Sequence, residues 1–278
     1  MLMGEIQKLD EIEQMEAQML QMPQVDCPVV HHFGPGIYMR EVTLKAGTLA
    51  IGHAQRFEHL NIVLTGSVAI VDGHEVKTIK APLIYVGKPG RKVGYVLEDT
   101  VWLNVYSTNE TDIEKLEEMF LDKSETFQLH QQAQIKLDHD VRAADREDFK
   151  RLVADAGFTE EIVRQQSENE EDQIPMPDGY PNVTVRNSAI EGKGIFLSFP
   201  STAGSIIGPA RIDGKRTPLG RYTNHSMTPN ARFIRNGADI WMVALKDIEG
   251  CKGGDHGEEV TVDYKQSLQL IGEIECQA

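Results

Sequence analysis

Three short segments in the last third of the sequence carry residue types that bind ligands or take part in catalysis. Residues 224–230 read NHSMTPN, and Met227 is the one plainly apolar side chain among them. The polar Asn, Ser and Thr side chains of this run compete with the backbone for hydrogen bonds, which disfavours a strand or a helix interior. The run therefore predicts an ordered loop that holds other backbone, or a ligand, in place. Residues 257–264 (GEEVTVDY) predict a turn into a short strand that ends on a tyrosine. Residues 192–196 (GKGIF) predict a glycine-flanked turn that enters a strand.

In this order the three segments resemble the SET-domain family of protein lysine methyltransferases, over residues 183–270. A lone G-x-G turn would be a weak signal, whereas the ordered trio with N-H-S-x-x-P-N is specific. The resemblance implies a β-clip fold in which one segment threads beneath another to form a pseudoknot. It also implies an enzyme that uses S-adenosyl-L-methionine to methylate a lysine of a protein, with the substrate protein left open.

The resemblance further implies a cofactor site. Asn224 and His225 would contact S-adenosylmethionine, largely through backbone groups and the asparagine amide. The turn at Lys193 and Gly194 would approach the cofactor closely, which is a reason for glycine there. Arg221 lies where the family often places a basic residue.

Tyr264 and Tyr222 are the catalytic candidates that the resemblance implies. Tyr264 matches the tyrosine whose hydroxyl lies near the transferred methyl group, and Tyr222 lies where the family often places an aromatic residue. Methyl transfer from a sulfonium to a neutral amine needs alignment more than acid or base catalysis, and a desolvated channel lowers the pKa of a lysine. We therefore interpret Glu258 and Glu259 as turn residues whose carboxylates hold backbone in place.

Two departures from the family pattern concern the lysine channel. Many SET enzymes have a zinc-binding, cysteine-rich segment after the domain, but only Cys276 follows Tyr264, and no Phe, Tyr or Trp follows it. The missing wall could come from a neighbouring subunit, from the N-terminal domain, or not at all. We expect a homo-oligomer. The alternative function is a non-enzymatic phage virion or assembly protein that uses its folds as oligomerisation and binding modules.

A second group of candidate residues lies within residues 29–108, where short strands separated by glycine-bearing turns predict a small antiparallel barrel or jelly roll. Residues 53–59 (HAQRFEH) resemble the first metal-binding motif of the cupin superfamily. Because alternate strand residues share a face, His53, Gln55 and His59 could converge on one cavity.

The cupin resemblance does not extend to the full metal-ligand set. Gln55 and Lys92 stand at two of the four expected ligand positions, and a protonated lysine has no lone pair to offer a divalent cation. We therefore predict no metal, a structural or small-ligand barrel, and no metal-dependent oxygenase activity. Residues 97–102 (LEDTVW) also resemble cupins associated with bacteriophage genomes.

The predicted architecture is mainly β, with a cupin-like antiparallel barrel, a helical spacer and a C-terminal SET domain. The predicted boundaries are residues 1–28 for an N-terminal helix, 29–122 for the barrel, 123–180 for the spacer and linker, and 181–278 for the SET domain. Apolar spacings of three and four predict helices over residues 5–22 and 145–156, and Thr111 is the expected N-cap of another. The candidate barrel strands are residues 42–51, 60–64, 68–71, 76–79, 83–86 and 101–106.

Composition narrows the class of protein and its partners. The formal net charge of −15 argues against a general nucleic-acid binder, which needs a basic surface. The three cysteines are scattered, which indicates a reducing compartment without a disulfide or zinc framework. No apolar run approaches the ~20 residues of a membrane span, and the N-terminus lacks a signal pattern. We expect a protein of the bacterial or host cytoplasm, or of a virion, whose partner is a protein with an accessible lysine.

Overall fold

The computed structural model describes residues 2–72, 75–267 and 270, except for the side chains of residues 2–10, 72 and 166–167. Some sequence-based expectations fall outside the described residues. They concern the Asp-Gly hairpin turn predicted at residues 72–73, the apolar side chain of residue 9 in the first helix, Cys276, and the aliphatic residues 268, 271 and 274, which the sequence offers in place of an aromatic wall for the lysine channel.

The chain divides into two compact units. One comprises the residues up to Gln134 together with Cys251–Asp255, and the other comprises Ile135–Gly250 and the described residues from His256 onward. The predicted boundaries at residues 29, 123 and 181 remain predictions.

The first unit is a β domain with flanking helices. Its elements are α1 (Leu2–Met19), β1 (Val29–Gly34), β2 (Ile37–Leu44), β3 (Leu49–Ile51), β4 (Ala54–Gln55), β5 (His59–Asp72), β6 (Glu75–Lys80), β7 (Leu83–Gly87), β8 (Val93–Ser107), α2 (Ile113–Phe120), β9 (Leu121–Asp122) and the start of α3 (Glu125–Val141). The main sheet runs β1-β2-β8-β5-β6, with β3 also paired to β8 and β7 to β5. All of these pairings are antiparallel, as the sequence predicted.

The core of this sheet follows from the alternation of side chains along its two long strands. Val63 of β5 lies opposite Trp102 of β8, and Val68 lies opposite Val96. These four side chains are buried together with Ile79. Full burial of an aliphatic or aromatic side chain stabilises a fold by about 1.5–3 kcal/mol, so the inward positions of β5 and β8 hold the sheet together.

Three local predictions were wrong in detail. The segments predicted as separate strands at residues 60–64 and 68–71 form one strand, because Gly66 takes a φ of +78° and lets the ladder shift register without breaking. The N-cap of α2 is Asp112 instead of Thr111, since the Asp112 carboxylate accepts a hydrogen bond from the Lys115 amide at 3.2 Å. Helix α1 ends at Met19, three residues before the predicted end.

A cavity of about 250 Å³ lies inside the first unit, and His53, Gln55 and Lys92 line it. His59 does not join them. Its ring stacks on Tyr106 at 5.6 Å, and its Nδ1 donates to the Phe57 carbonyl at 3.0 Å. Among the described residues, no group of three or more His, Cys, Asp and Glu side chains is arranged to hold a metal ion.

The second unit combines helices with two four-stranded sheets. Its elements are the end of α3, α4 (Ala143–Asp155), α5 (Glu160–Ser167), β10 (Val183–Asn187), β11 (Lys193–Leu197), β12 (Ile206–Ile212), β13 (Lys215–Arg216), α6 (Pro218–Arg221), β14 (Asn224–His225), β15 (Ala231–Asn236), β16 (Asp239–Ala244) and β17 (Glu259–Val262), with a 3-10 turn at Glu170–Asp172. One sheet runs β10-β11-β17-β14 and the other β13-β12-β16-β15. The predicted mainly β fold with a helical middle is confirmed.

The core of the second unit lies against the central strands of both sheets. Ile195, Leu197, Val260 and Val262 are fully buried there with Met242. No helix of the described residues is long and apolar enough to cross a membrane.

Acid should destabilise the first unit through His53. Burial, reinforced by the nearby positive charge of Arg40, lowers the pKa of His53 to about 3. The unfolded chain binds this proton near pH 6.5 and the folded chain does not, so the contribution of neutral His53 is present above pH 6.5 and is lost as the pH falls towards 3. When the pH is lowered from about 7.5 to about 4.5, the free energy of unfolding should decrease in both proteins. We expect the decrease to be roughly 2 kcal/mol smaller for His53→Gln than for the wild type.

The measurement is urea unfolding followed by tryptophan fluorescence. Trp102 and Trp241 are the chain's two tryptophans, one in each unit. A Trp241→Phe background therefore confines the signal to the first unit. Identical pH dependence with and without His53 would contradict the prediction.

Candidate functional site

The three motif segments of the sequence meet along strand β17. Strand β14 pairs with β17 in parallel, with Asn224 opposite Thr261 and His225 opposite Val262. On the other side β11 pairs with β17 in the antiparallel sense, with Ile195 opposite Val260. The segments NHSMTPN, GKGIF and GEEVTVDY therefore contribute neighbouring strands to one sheet, and the prediction of a loop is wrong for Asn224 and His225, which form β14.

The side-chain amide of Asn224 binds these segments together. Its Nδ2 lies 2.7 Å from Glu259 Oε1, 3.0 Å from Ser188 Oγ and 3.0 Å from the Lys193 carbonyl oxygen, with the Glu191 carbonyl at 3.2 Å. An amide nitrogen carries two hydrogens, so these four acceptors share them. The Asn224 amide thus fixes the 188–193 turn against the edge strand.

Glu259 is a buried strand residue, so its interpretation as a turn residue was wrong. Its carboxylate accepts from Ser188 Oγ at 2.8 and 2.9 Å and from Asn224. Burial raises the pKa of Glu259, while the hydrogen bonds from Asn224 and Ser188 oppose that rise. A Cβ at Gly194 would collide with this carboxylate. The structure therefore explains glycine at 194 by the space that the Glu259 carboxylate occupies, whereas the sequence-based explanation was close approach of a cofactor.

Asn230 secures the other end of the loop to the same strand. Its Nδ2 donates to the Glu259 carbonyl at 2.8 Å and to Glu258 Oε1 at 3.1 Å, and its Oδ1 accepts from the Thr261 amide at 2.7 Å. The side chain is almost completely buried. Glu258 also pairs with Lys246 at 3.0 Å, so its carboxylate contacts two side chains instead of the backbone that was predicted.

His225 is buried between β17 and helix α4. The Tyr264 amide donates to His225 Nδ1 at 3.2 Å, so the ring hydrogen lies on Nε2 and is donated to Asp148 Oδ2 at 3.1 Å. The hydrogen bond from His225, followed by that of Lys265 at 3.3 Å, holds the pKa of Asp148 below its usual value. Asp148 therefore stays ionised and fixes the orientation of the imidazole.

Helix α4 binds the loop through a second carboxylate. Asp145 accepts from Ser226 Oγ at 2.9 Å and from the Met227 amide at 2.7 Å. Arg142 donates to Ser226 Oγ at 3.2 Å, and Arg146 donates to the carbonyls of residues 189 and 190. Sequence reasoning assigned this helix to a spacer and missed Asp145 and Asp148. The available signal was their spacing of three, which places two acids on one helix face.

Tyr264 has its hydroxyl fixed by backbone. The hydroxyl donates to the Thr223 carbonyl at 2.8 Å. The ring lies edge-on to Phe149 with 5.8 Å between centroids, and 5.4 Å from the ring of His225. Burial, together with the negative charge of Glu259, raises the pKa of Tyr264. The phenol therefore keeps its hydrogen at neutral pH.

Arg221 and Tyr222 contact each other, Gln173, helix α6 and the hydrophobic core of the second unit. The Arg221 guanidinium lies 4.8 Å from the centroid of the Tyr222 ring and donates to Gln173 Oε1. Tyr222 ends helix α6, where its amide donates to the Pro218 carbonyl, and its ring packs on the core. Of the predicted site residues, the structure thus brings together Lys193, Gly194, Asn224, His225 and Tyr264.

Comparisons with known proteins match both parts of the chain. A family model of the SET domain matches residues 109–265. The N-terminal region is similar to KdgF from Halomonas sp. (13% identity, 31% of this chain and 88% of that one, TM-score 0.26). It is also similar to a cupin-2 domain containing protein from Shewanella frigidimarina (14% identity, 34% and 92%, TM-score 0.26) and to an RmlC-like cupin family protein from Methanocaldococcus jannaschii (13% identity, 34% and 85%, TM-score 0.26). No curated protein matches this sequence.

Replacement of Asn230 should destabilise the second unit. Asn230→Ala leaves the Thr261 amide and the Glu259 carbonyl buried without this partner, which costs about 1–3 kcal/mol for each group left unsatisfied. We expect a loss of at least ~2 kcal/mol in urea unfolding, read from Trp241 in a Trp102→Phe background. Asn236→Ala, at an exposed strand end, is the matched control and should change stability by less than about 0.5 kcal/mol. Equal effects of the two substitutions would contradict this account of the loop.

Proposed function

This chain belongs to the SET-domain family, and from that premise we propose that it is an S-adenosylmethionine-dependent protein lysine N-methyltransferase. The observation that carries the proposal is the meeting of three segments along β17, with the Asn224 amide fixed to the Lys193 carbonyl and the Tyr264 hydroxyl to the Thr223 carbonyl. Groups held in this way need no reorganisation when a ligand arrives.

The residues present fit this cofactor in one specific respect. Strand β14 is at the edge of its sheet, so among the described residues no strand pairs with the side of Asn224 and His225 that faces away from β17. Backbone amide and carbonyl groups on an open strand edge are strong hydrogen-bonding groups. We infer that they would hold the cofactor. The Asn224 side chain would act from behind, by keeping the 188–193 turn and the strand in register.

When bound, the cofactor supplies a methyl group on a positively charged sulfur. The part of the protein is to align an amine with that methyl, because alignment lowers the barrier more than acid–base assistance does for such a displacement. Tyr264 suits an aligning role. Its hydrogen is donated to the Thr223 carbonyl, so its oxygen lone pairs are left to accept a hydrogen bond from an amine. Its raised pKa excludes the phenolate as a base at neutral pH.

The substrate lysine would need to be neutral to react. Burial in a channel lowers a lysine pKa because the charged form loses its hydration. Tyr222 is proposed to contribute an aromatic surface beside Arg221, with which it forms a cation–π contact. We propose a protein partner with an accessible lysine and a homo-oligomeric enzyme.

Conversion of Tyr264 to phenylalanine should separate binding from chemistry. Tyr264→Phe keeps the ring packed against Phe149 and removes the hydroxyl that would orient the amine. We expect calorimetry to give unchanged affinity for S-adenosylmethionine, while methyl transfer slows at least ~10-fold, equivalent to ~1.4 kcal/mol in the barrier. The assay is mass spectrometry of lysine-rich host proteins, and of the protein itself, after incubation with labelled cofactor.

Tyr180→Phe is the matched control, because Tyr180 packs on Trp241 away from the Asn224 cluster. It should leave the rate unchanged. Equal labelling by the wild type and Tyr264→Phe would remove Tyr264 from the mechanism. Cofactor binding without any labelling by the wild type would favour a non-enzymatic assembly protein, and cofactor affinity weaker than about 1 mM would count against any methyltransferase.

A further inference from the structure

The cavity of the first unit has the size and lining of a small-ligand site. Its volume of about 250 Å³ exceeds the ~150 Å³ of an apolar cavity that accommodates benzene. Much of the wall is apolar and comes from the inward faces of β2, β5 and β8, including Val42, Val68, Ile70 and Trp102. Trp102 Nε1 donates to Asn61 Oδ1 at 2.8 Å, which fixes the indole as part of the wall.

A polar row crosses the same sheet beside this apolar wall. Arg40 of β2 lies opposite Asn104 of β8, which lies opposite Asn61 of β5. Directly paired residues of an antiparallel sheet share a face, and all three line the cavity. Asn104 Nδ2 donates to Asn61 Oδ1 at 2.9 Å. The two amides are thus engaged with each other and with Trp102, and Arg40 stands at the end of the row.

Two buried polar atoms of the cavity lack a partner. Within the part of the chain that the structure describes, neither Arg40 Nε nor His53 Nδ1 makes a hydrogen bond. Buried polar groups are rarely left unsatisfied, and those that are often mark a missing water, ion or ligand. An oxygen-bearing ligand would satisfy Arg40 directly, because the guanidinium is a donor that stays charged at any ordinary pH.

The electrostatic character of the cavity is positive. Arg40 and Lys92 both line it, and burial, with the charge of Arg40 second, lowers the pKa of His53. Glu16 also lines the cavity, but its carboxylate is already paired with Arg91 and accepts from Ser124 Oγ at 2.5 Å. A divalent cation would be repelled here, and an anion would be attracted.

We propose that this cavity binds a small organic monocarboxylate whose body is an aromatic ring, with the carboxylate on Arg40 and the ring between Trp102 and the aliphatic wall. An arginine can hold both oxygens of a carboxylate at once. The ring matches the volume and the apolar surface. Neither the motif residues of the second unit nor the methyltransferase proposal assigns this site.

The test compares acids with their neutral amides on the full-length protein in a Trp241→Phe background, where the emission of Trp102 reports from the cavity wall. The probes are benzoate and phenylacetate against benzamide and phenylacetamide, with calorimetry as a second readout. We expect dissociation constants below ~1 mM for at least one acid and at least ~10-fold weaker binding of its amide. Failure of both acids to bind below ~10 mM, or equal binding of acid and amide, would overturn the proposal.

Variants tie the selectivity to the cavity cations. Arg40→Met preserves much of the side-chain length and should weaken acid binding at least ~10-fold while amide binding changes little. It should melt no lower than the wild type, because it removes a buried donor that lacks a partner. Lys92→Met should weaken acid binding in the same direction and serves if Arg40→Met fails to fold. Arg56→Met, at an exposed ion pair with Asp122, is the control and should stay within about twofold. Unchanged acid affinity in a folded Arg40→Met protein would refute the site, and so would unchanged affinity in Lys92→Met if Arg40→Met does not fold.

Discussion

The buried carboxylate of Glu259 is the constraint on which the site of the second unit depends. Moving a charged group out of water is unfavourable unless hydrogen-bond donors replace its hydration, and Ser188 and Asn224 supply those donors. Because the Asn224 amide also reaches the Lys193 carbonyl, the bonds that stabilise the acid fix the turn and the edge strand as well. Glycine at 194 follows, since a side chain there would take the space of the carboxylate. One acid in a strand thus sets the geometry of three segments.

Helix α4 extends this framework beyond the motif segments. Asp145 and Asp148 each accept hydrogen bonds from the loop that contains His225 and Ser226. Hydrogen bonds to a charged group contribute about 1.5–3 kcal/mol, more than those between neutral groups, so the conformation of the loop depends on a helix more than 75 residues earlier in the chain. The ring of Phe149 on the same helix packs against Tyr264. A segment that reads as a spacer is therefore part of what positions the candidate catalytic tyrosine.

Sequence reasoning predicted those parts of the fold and the site that depend on residues close together in the chain. Short strands separated by glycine-bearing turns predicted the antiparallel sheet of the first unit. The loop predicted for residues 224–230 is wrong at its start, because Asn224 and His225 form strand β14 by pairing with β17, which lies more than 30 residues further along the chain. Glu259 was misjudged because its partners lie 35 and 71 residues away, and Asp148 because the histidine it binds lies 77 residues away. Even a local choice can depend on neighbours. Thr111 and Asp112 are both able to cap a helix, and composition alone did not separate them.

The buried side chains around Asn224 and those of the first-unit cavity differ in whether the protein itself supplies their hydrogen-bond partners. In the second unit the side chains of Asn224, His225 and Asn230 are engaged by the protein itself. They stabilise a shape, and a ligand there would meet the backbone of an edge strand. In the first-unit cavity Arg40 and His53 each retain a buried polar atom without a protein partner among the described residues, beside an apolar wall in which Trp102 is held by its hydrogen bond to Asn61. Satisfied polar groups specify structure, whereas unsatisfied ones beside empty volume favour a ligand, because only the ligand recovers the hydrogen bonds lost on burial.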